Sequence, residues 1–330
     1  MSTTDTNNHI AFLVDRYKDK LTTLPCKKEP VFGSLYLYQG FWYISHNIYS
    51  IESLLLAQET FKAHPTDIYV ITFQKSGTTW MKSLVFATIN RTRYKNNTLY
   101  THPLSISNPH NCVPFLETEP FRDNYPDEHS PRLFSTHTCY TSLPQPIIDY
   151  GCRIVYMCRG PKDVLVSYFH FINKIRNKSS IIGNKAQLPQ VKLEDLFEAL
   201  VSGSIAYGPY WDHVKGYYKA SEEQPTRILF LTYEDMVRDT ANGVKRLAEF
   251  LGVPFTKEEE DHAAIDDIVR LCSFEKLKEV DKNGNFQGLP NESFYREGKI
   301  GDSASNLTSE MIKIIDQITE EKFHGLNISF

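Results

Sequence analysis

The sequence predicts an α/β fold: one domain with a central, mostly parallel β-sheet flanked by helices on both faces. Two observations predict it. Four short apolar runs, DIYVITF (residues 67–73), RLFST (132–136), RIVYMC (153–158) and RILFLT (227–232), are rich in β-branched and aromatic residues, the mark of buried strands. Between them the apolar spacing switches to that of helices. Strands alternating with helices give a parallel sheet covered on both sides.

Taken in order, the first strand runs straight into KSGTTW and then an apolar helical face at Met81, Leu84, Val85 and Thr88. The third strand is followed by Arg159-Gly160-Pro161; Pro161 suits the first turn of a helix. After the fourth, Val244, Leu247, Ala248 and Leu251 mark an amphipathic helix closed by Gly252 as its C-terminal cap. A last helix over 309–323 turns Ile312, Ile315 and Ile318 inward. Residues 177–190 and 280–294 read as mobile loops, and 1–35 as a partly flexible N-terminal extension of a single domain spanning 1–330. No internal repeat or long linker divides the chain.

Composition narrows the function. In 330 residues, 41% hydrophobic and 13% aromatic content suffices for a large core. A formal charge of −4 with no basic stripe gives no reason to expect nucleic acid. The six cysteines form no CxxC pair, which fits neither a zinc site nor a disulfide scaffold and suits reduced thiols in the cytoplasm. The N-terminus lacks the basic and apolar regions of a signal peptide, and no run reaches the roughly 18 apolar residues that span a bilayer. The expectation is a cytoplasmic enzyme with no membrane or metal partner, as a monomer or homodimer.

A strand feeding a Lys-Ser-Gly-Thr-Thr turn into a helix is an anion site. Free N–H groups of the turn and the helix dipole both favour negative charge. Gly77 permits close backbone approach, Thr78 and Thr79 add hydroxyls, and Lys75 adds a full charge. The ATPase order GxxxxGK[ST] is absent, since Lys75 comes first and the leading glycine is missing. The cradle therefore looks short for a triphosphate with magnesium and suits a 5′-phosphate carrying one further group. A small-molecule kinase is correspondingly disfavoured.

FQKSGTTW closely resembles the YPKSGTTW signature of cytosolic sulfotransferases. PRLFSTHTCYTSLP, RIVYMCRGPKDVLVSYFHF, LTYEDM and LCSFEKL agree with that family in order, and NPHNCVPFLE and YGPYWDHVKGYYKAS resemble its plant branch. The resemblance runs from about residue 36 to the C-terminus. It implies the P-loop NTPase-like sulfotransferase fold, and transfer of a sulfuryl group from 3′-phosphoadenosine 5′-phosphosulfate (PAPS) to a hydroxyl of a small plant-type metabolite.

Carried over, the resemblance makes Lys75 the contact to the bridging oxygen. Ser76, Gly77, Thr78 and Thr79 become the 5′-phosphate cradle. Trp80 and Phe274 sandwich the adenine, with Tyr233 and Ser273 nearby. Arg159, Ser167, Arg296 and Gly298 take the 3′-phosphate, with Glu297 between the last two. His137 becomes the general base, a task that suits an imidazole. The chain has eleven histidines, and His102, His110 and His213 lack a comparable setting. Phe41, Trp42, Phe115, Tyr168 and Phe171 are candidate acceptor-pocket aromatics. Phe171 is the best of them, since it matches a family pocket position.

The chain departs from the family's RKGxxGDW near its end, where it has Arg296-Glu297-Gly298 and Gly301-Asp302-Ser303. Glu297 weakens donor binding only if it faces the 3′-phosphate; the expected orientation is toward solvent. Gln74 and Cys139 replace family prolines. Two further readings follow from these departures: sulfation that activates a hydroxyl for cyclisation or rearrangement, and a catalytically impaired small-ligand binder.

Overall fold

The computed structural model describes residues 3–45, 49–94, 102–121, 131–179, 189–280, 284–286 and 289–330. Its centre is a four-stranded parallel sheet in the order β5-β4-β6-β7, made of β4 (Ile68–Thr72), β5 (Leu133–Thr136), β6 (Arg153–Cys158) and β7 (Ile228–Thr232). These are the four apolar runs of the sequence. Every residue of β4 is buried, because both faces of the sheet are covered.

The period-two alternation of the strands divides the interior into two cores. Tyr69, Ile71, Phe134, Ile154 and Tyr156 face one, packed with Leu13, Val164, Tyr210, Tyr217 and Ile315. Ile68, Val70, Leu133, Val155 and Met157 face the other, packed with Met81, Leu84 and Val85 of the Thr78–Asn90 helix and Val244 and Leu247 of the Thr240–Phe250 helix. Gly252, at φ +75°, follows that second helix as its left-handed cap.

Residues 3–35 are more built-in than an extension. A helix over Thr3–Thr22 inserts Leu13, Tyr17 and Leu21 into the first core, and each fully buried leucine is worth roughly 1.5–3 kcal/mol. Strands β1 (Cys26–Glu29), β2 (Gly33–Tyr38) and β3 (Phe41–Ile44) form a separate antiparallel sheet. Of the two stretches read as loops, 180–188 lies outside the described residues. The other carries β8 (Asn285–Phe286) paired antiparallel with β9 (Leu289–Pro290) and a helical turn over Asn291–Phe294; its residues 281–283 and 287–288 are likewise outside the description. The last helix covers Ser309–Lys322, with Met311 and Ile315 as its buried residues and Ile312 and Ile318 packed alongside.

Candidate active site

The sheet register gathers the candidate residues at one edge. Ile71 lies opposite Thr136, Thr72 opposite Met157, and Cys158 opposite Thr232. The residues after each strand, Phe73 to Thr79, His137, Arg159 and Tyr233, therefore leave the sheet side by side at its carboxyl end. Chain order also reverses here, β5 and β6 flanking β4 on opposite sides, which is where open α/β sheets bind ligands.

The loop after β4 is held in an unusual backbone path. Lys75 has φ +65° and Gly77 φ +94°, and left-handed backbone at a non-glycine residue is a strain typical of functional turns. A Cβ at position 77 would lie 2.8 Å from both Met157 Cε and Tyr233 Cδ2, so only glycine fits. The helix starts at Thr78, leaving its first N–H groups without intrahelical acceptors. Thr78 Oγ1 is bonded to Thr72 Oγ1 at 2.7 Å, whereas the buried Ser76 Oγ has no partner among the described residues.

Lys75 Nζ lies 3.7 Å from the centre of the Phe171 ring. Burial, then the charges of Arg159, Arg296 and Lys174, hold its pKa down to about 7. Cations crowded to this extent call for anions. Arg159 Nη2 donates to the Lys299 carbonyl at 2.7 Å and pairs with Asp163 at 3.3 Å, while its buried Nε and that of Arg296 have no partner among the described residues. Asp163 also accepts from the Gly301 N–H at 2.9 Å and the Ser303 N–H at 3.1 Å. Ser167 lies one turn further along the same helix and is buried. The residues present thus fit an anionic nucleotide: among the described residues, three orphaned donors accompany the left-handed Gly77 at one cationic edge.

His137 is fixed by β4. Its Nδ1–H donates to the Thr72 carbonyl at 2.8 Å, so in the neutral ring Nε2 keeps its lone pair. Burial is the main cause of a pKa lowered to about 3, only partly opposed by that bond, with Lys82, His213 and Lys75 adding repulsion. Phe115 and Tyr207 flank the ring at 5.3 and 5.6 Å between centroids.

The other expected residues divide. Trp80 meets Tyr233 edge-on at 5.5 Å, and Arg159 lies 4.6 Å over Tyr233. Ser273 immediately precedes the Phe274–Val280 helix. Gly298 has φ +66°, and a Cβ there would come within 2.7 Å of Phe274, so the glycine rests on that ring. Phe115 and Phe171 stand beside His137 and Lys75; Tyr168 packs on Phe32 at 5.6 Å, Phe41 approaches His213 at 6.2 Å, and Trp42 bonds to the Gly208 and Tyr207 backbone.

The departures from the family pattern are accommodated. Glu297 is half exposed and lies 3.8 Å from Lys299, an outward pairing. Ser303 is buried with its N–H on Asp163, and Arg296 pairs with Asp302. Cys139 keeps φ −65°, the value a proline would impose, and donates Sγ–H to Ser142 Oγ at 3.2 Å.

Sequence reasoning missed Lys82, His110 and His213. Lys82 is fully buried and repeats the helical phase of Thr78, a polar residue on an inward face, which was a usable signal. His213 is set by the tertiary fold alone.

A parallel sheet whose carboxyl edge joins a strand-loop-helix cradle, a cluster of cations and a neutral imidazole fits an enzyme that transfers a group from an anionic nucleotide. The sulfotransferase domain family matches residues 65–327. Flavonol 4′-sulfotransferase of Flaveria chlorifolia is 41% identical over 303 residues, covering 89% of this chain and 90% of its own. An Arabidopsis thaliana protein assigned as a steroid sulphotransferase is 34% identical at a TM-score of 0.72, with 94% of each chain covered. Retinol dehydratase, in a complex with retinol and PAP, shares the fold at 20% identity and a TM-score of 0.63, again with 94% of each chain covered.

The chain belongs to the sulfotransferase family, with plant cytosolic sulfotransferases among its similar relatives. It is a PAPS-dependent transferase.

Proposed function

We propose that the chain moves the sulfuryl group of PAPS to a hydroxyl of a small plant-type metabolite in the cytoplasm, with His137 as general base and Lys75 stabilising the leaving phosphate. The observation that carries this reading is the tautomer of His137. With Nδ1–H committed to the Thr72 carbonyl, Nε2 is the ring's proton acceptor, and the depressed pKa keeps it unprotonated at neutral pH. PAPS, when bound, supplies an activated sulfuryl group and an anionic leaving phosphate. Ser76, Gly77 and Thr79 hold the 5′-phosphate; Arg159, Ser167, Arg296 and Gly298 hold the 3′-phosphate; Trp80 and Phe274 flank the adenine.

Lys75 places its charge where negative charge accumulates on departure, the arrangement that dominates phosphoryl transfer as well. Neutralising that lysine also removes one of the repulsions that depress His137, which brings the base closer to its working range. Phe115, Phe171 and Tyr207 offer apolar faces to a planar acceptor, and the names of the relatives, flavonol and steroid sulfotransferases, support that class. The outward pairing of Glu297 favours an intact donor site over a decayed one.

The test offers a radiolabelled sulfuryl donor with a plant metabolite extract to wild type and to His137→Ala. Label transfer by wild type and a loss of about a hundredfold or more in the variant are expected. Absence of transfer by wild type rejects the function, and undiminished transfer by the variant rejects the base.

A further inference from the structure

The helix that opens at the phosphate cradle carries Lys82 one turn in, at 0% exposure. Its ammonium lies 2.8 Å from Nδ1 of His110 and 3.5 Å from the centre of the Phe115 ring. On the opposite side of the imidazole, Nε2 lies 3.2 Å from Oγ1 of Thr79. His110 is itself 2% exposed and packed between Phe115, Phe286 and Phe294 at 5.3, 5.0 and 4.7 Å. A buried lysine costs free energy unless something uses its charge.

The direction of each bond is forced. An ammonium has hydrogens to donate and no lone pair, so Nδ1 of His110 must accept. The imidazole carries one proton, since burial and the Lys82 charge push its pKa well below the usual histidine value. That proton is therefore on Nε2, and Nε2–H donates to Thr79 Oγ1. Having accepted that bond, the Thr79 hydroxyl keeps its own hydrogen to donate elsewhere. Thr79 is half-buried in the first turn of the helix that begins at the cradle.

We propose that Lys82 and His110 are positioning residues that lock the Thr79 hydroxyl as a donor to the nucleotide's 5′-phosphate and pass part of the Lys82 charge to it along a polarised chain. Successive donors of this kind strengthen one another in a low-dielectric interior. The inference rests on the proposed donor site, and it adds a second cation, reached through two bonds, to the direct charge of Lys75. Without Lys82, His110 is free to take the other tautomer, in which Nε2 accepts from Thr79 and the hydroxyl points away from the phosphate.

The test measures binding of adenosine 3′,5′-bisphosphate by calorimetry, together with turnover. Lys82→Met keeps the side-chain volume, and His110→Phe keeps the ring. Each is made in the wild type and in Thr79→Ala, with thermal melting as a control for folding. In the wild-type background each is expected to weaken the nucleotide about tenfold and to lower kcat with acceptor KM unchanged. In the Thr79→Ala background each is expected to change affinity less than about twofold, because the chain no longer ends on a hydroxyl. Equal losses in both backgrounds would mean that the pair acts only on packing and would overturn the relay. So would wild-type affinity in either single variant. If wild type binds the nucleotide without transferring sulfuryl, the proposed function fails while the affinity cycle still decides the relay. If wild type does not bind it, both fall.

Discussion

The backbone carbonyl of His137 accepts a hydrogen bond from Nε2–H of His213 at 2.9 Å. The other nitrogen of His213 accepts from the Tyr156 hydroxyl at 3.0 Å. Both rings are buried, and His213 is held to a pKa of about 4 by burial, so it carries the single proton this pattern requires. His213→Phe would leave a carbonyl and a hydroxyl unpaired in the interior, at about 1–3 kcal/mol each. Lower urea resistance and reduced kcat are expected, with affinity for adenosine 3′,5′-bisphosphate within twofold of wild type. A variant with full stability and full kcat would show that the bond does not position His137 for the proposed reaction.

Three histidines with lowered pKa values also bear on the acid response of the fold. His137, His110 and His213 all have pKa values below that of an unfolded histidine, chiefly through burial. The unfolded chain takes up their protons first, below about pH 6.5. Their contribution to stability is therefore whole above that point and is lost as the pH falls, down to about 4 for His213 and about 3 for His137. Each costs about 1.4 kcal/mol per pH unit within that window. Urea midpoints at pH 7, 6 and 5 should fall with growing steepness. A constant midpoint would refute neutral burial of the three rings.

Nucleotide binding should take up a proton on the alkaline side. Lys75 has its pKa lowered to about 7 by burial and by Arg159, Arg296 and Lys174, and a phosphate beside it favours the charged form. At pH 8 the free site holds mostly neutral lysine and the occupied site mostly ammonium. Calorimetry in two buffers of different ionisation enthalpy should report uptake approaching one proton, with affinity falling between pH 7 and 9. Lys75→Met should abolish the uptake. Its persistence in that variant would assign the proton elsewhere.

Glu297 and its neighbour Arg296 should behave in opposite ways. Glu297 pairs with Lys299 near solvent, where such pairs are worth little, so Glu297→Lys should change PAPS affinity by less than about threefold. Arg296 carries a buried Nε with no partner among the described residues and adds its charge to that felt by Lys75, so Arg296→Ala should weaken PAPS by about tenfold or more. A large gain from Glu297→Lys would show that the carboxylate turns toward the phosphate when the donor binds.

Much of this was legible because the informative residues are local in sequence. The runs that became β4 to β7 declare themselves by composition, and the turn at Lys75 to Thr79 lies directly after the first. His137 was readable from its place in a matching block just past a strand. What stayed hidden depends on contacts distant in the chain. The Thr3–Thr22 helix has many polar residues around Leu13, Tyr17 and Leu21, and its apolar stripe acquires meaning only against the core. The pairing of β1 to β3 is antiparallel and belongs to no motif. His110 meets Lys82 across 28 residues and His213 meets Tyr156 across 57, distances over which no local pattern speaks.

The carboxylate of Asp163 holds Arg159 on one side and the amides of Gly301 and Ser303 on the other. One side of the Asp163 corner thus comes from a segment made more than 200 positions after the cradle at Lys75. During synthesis this corner closes only after residues 301–303 have emerged.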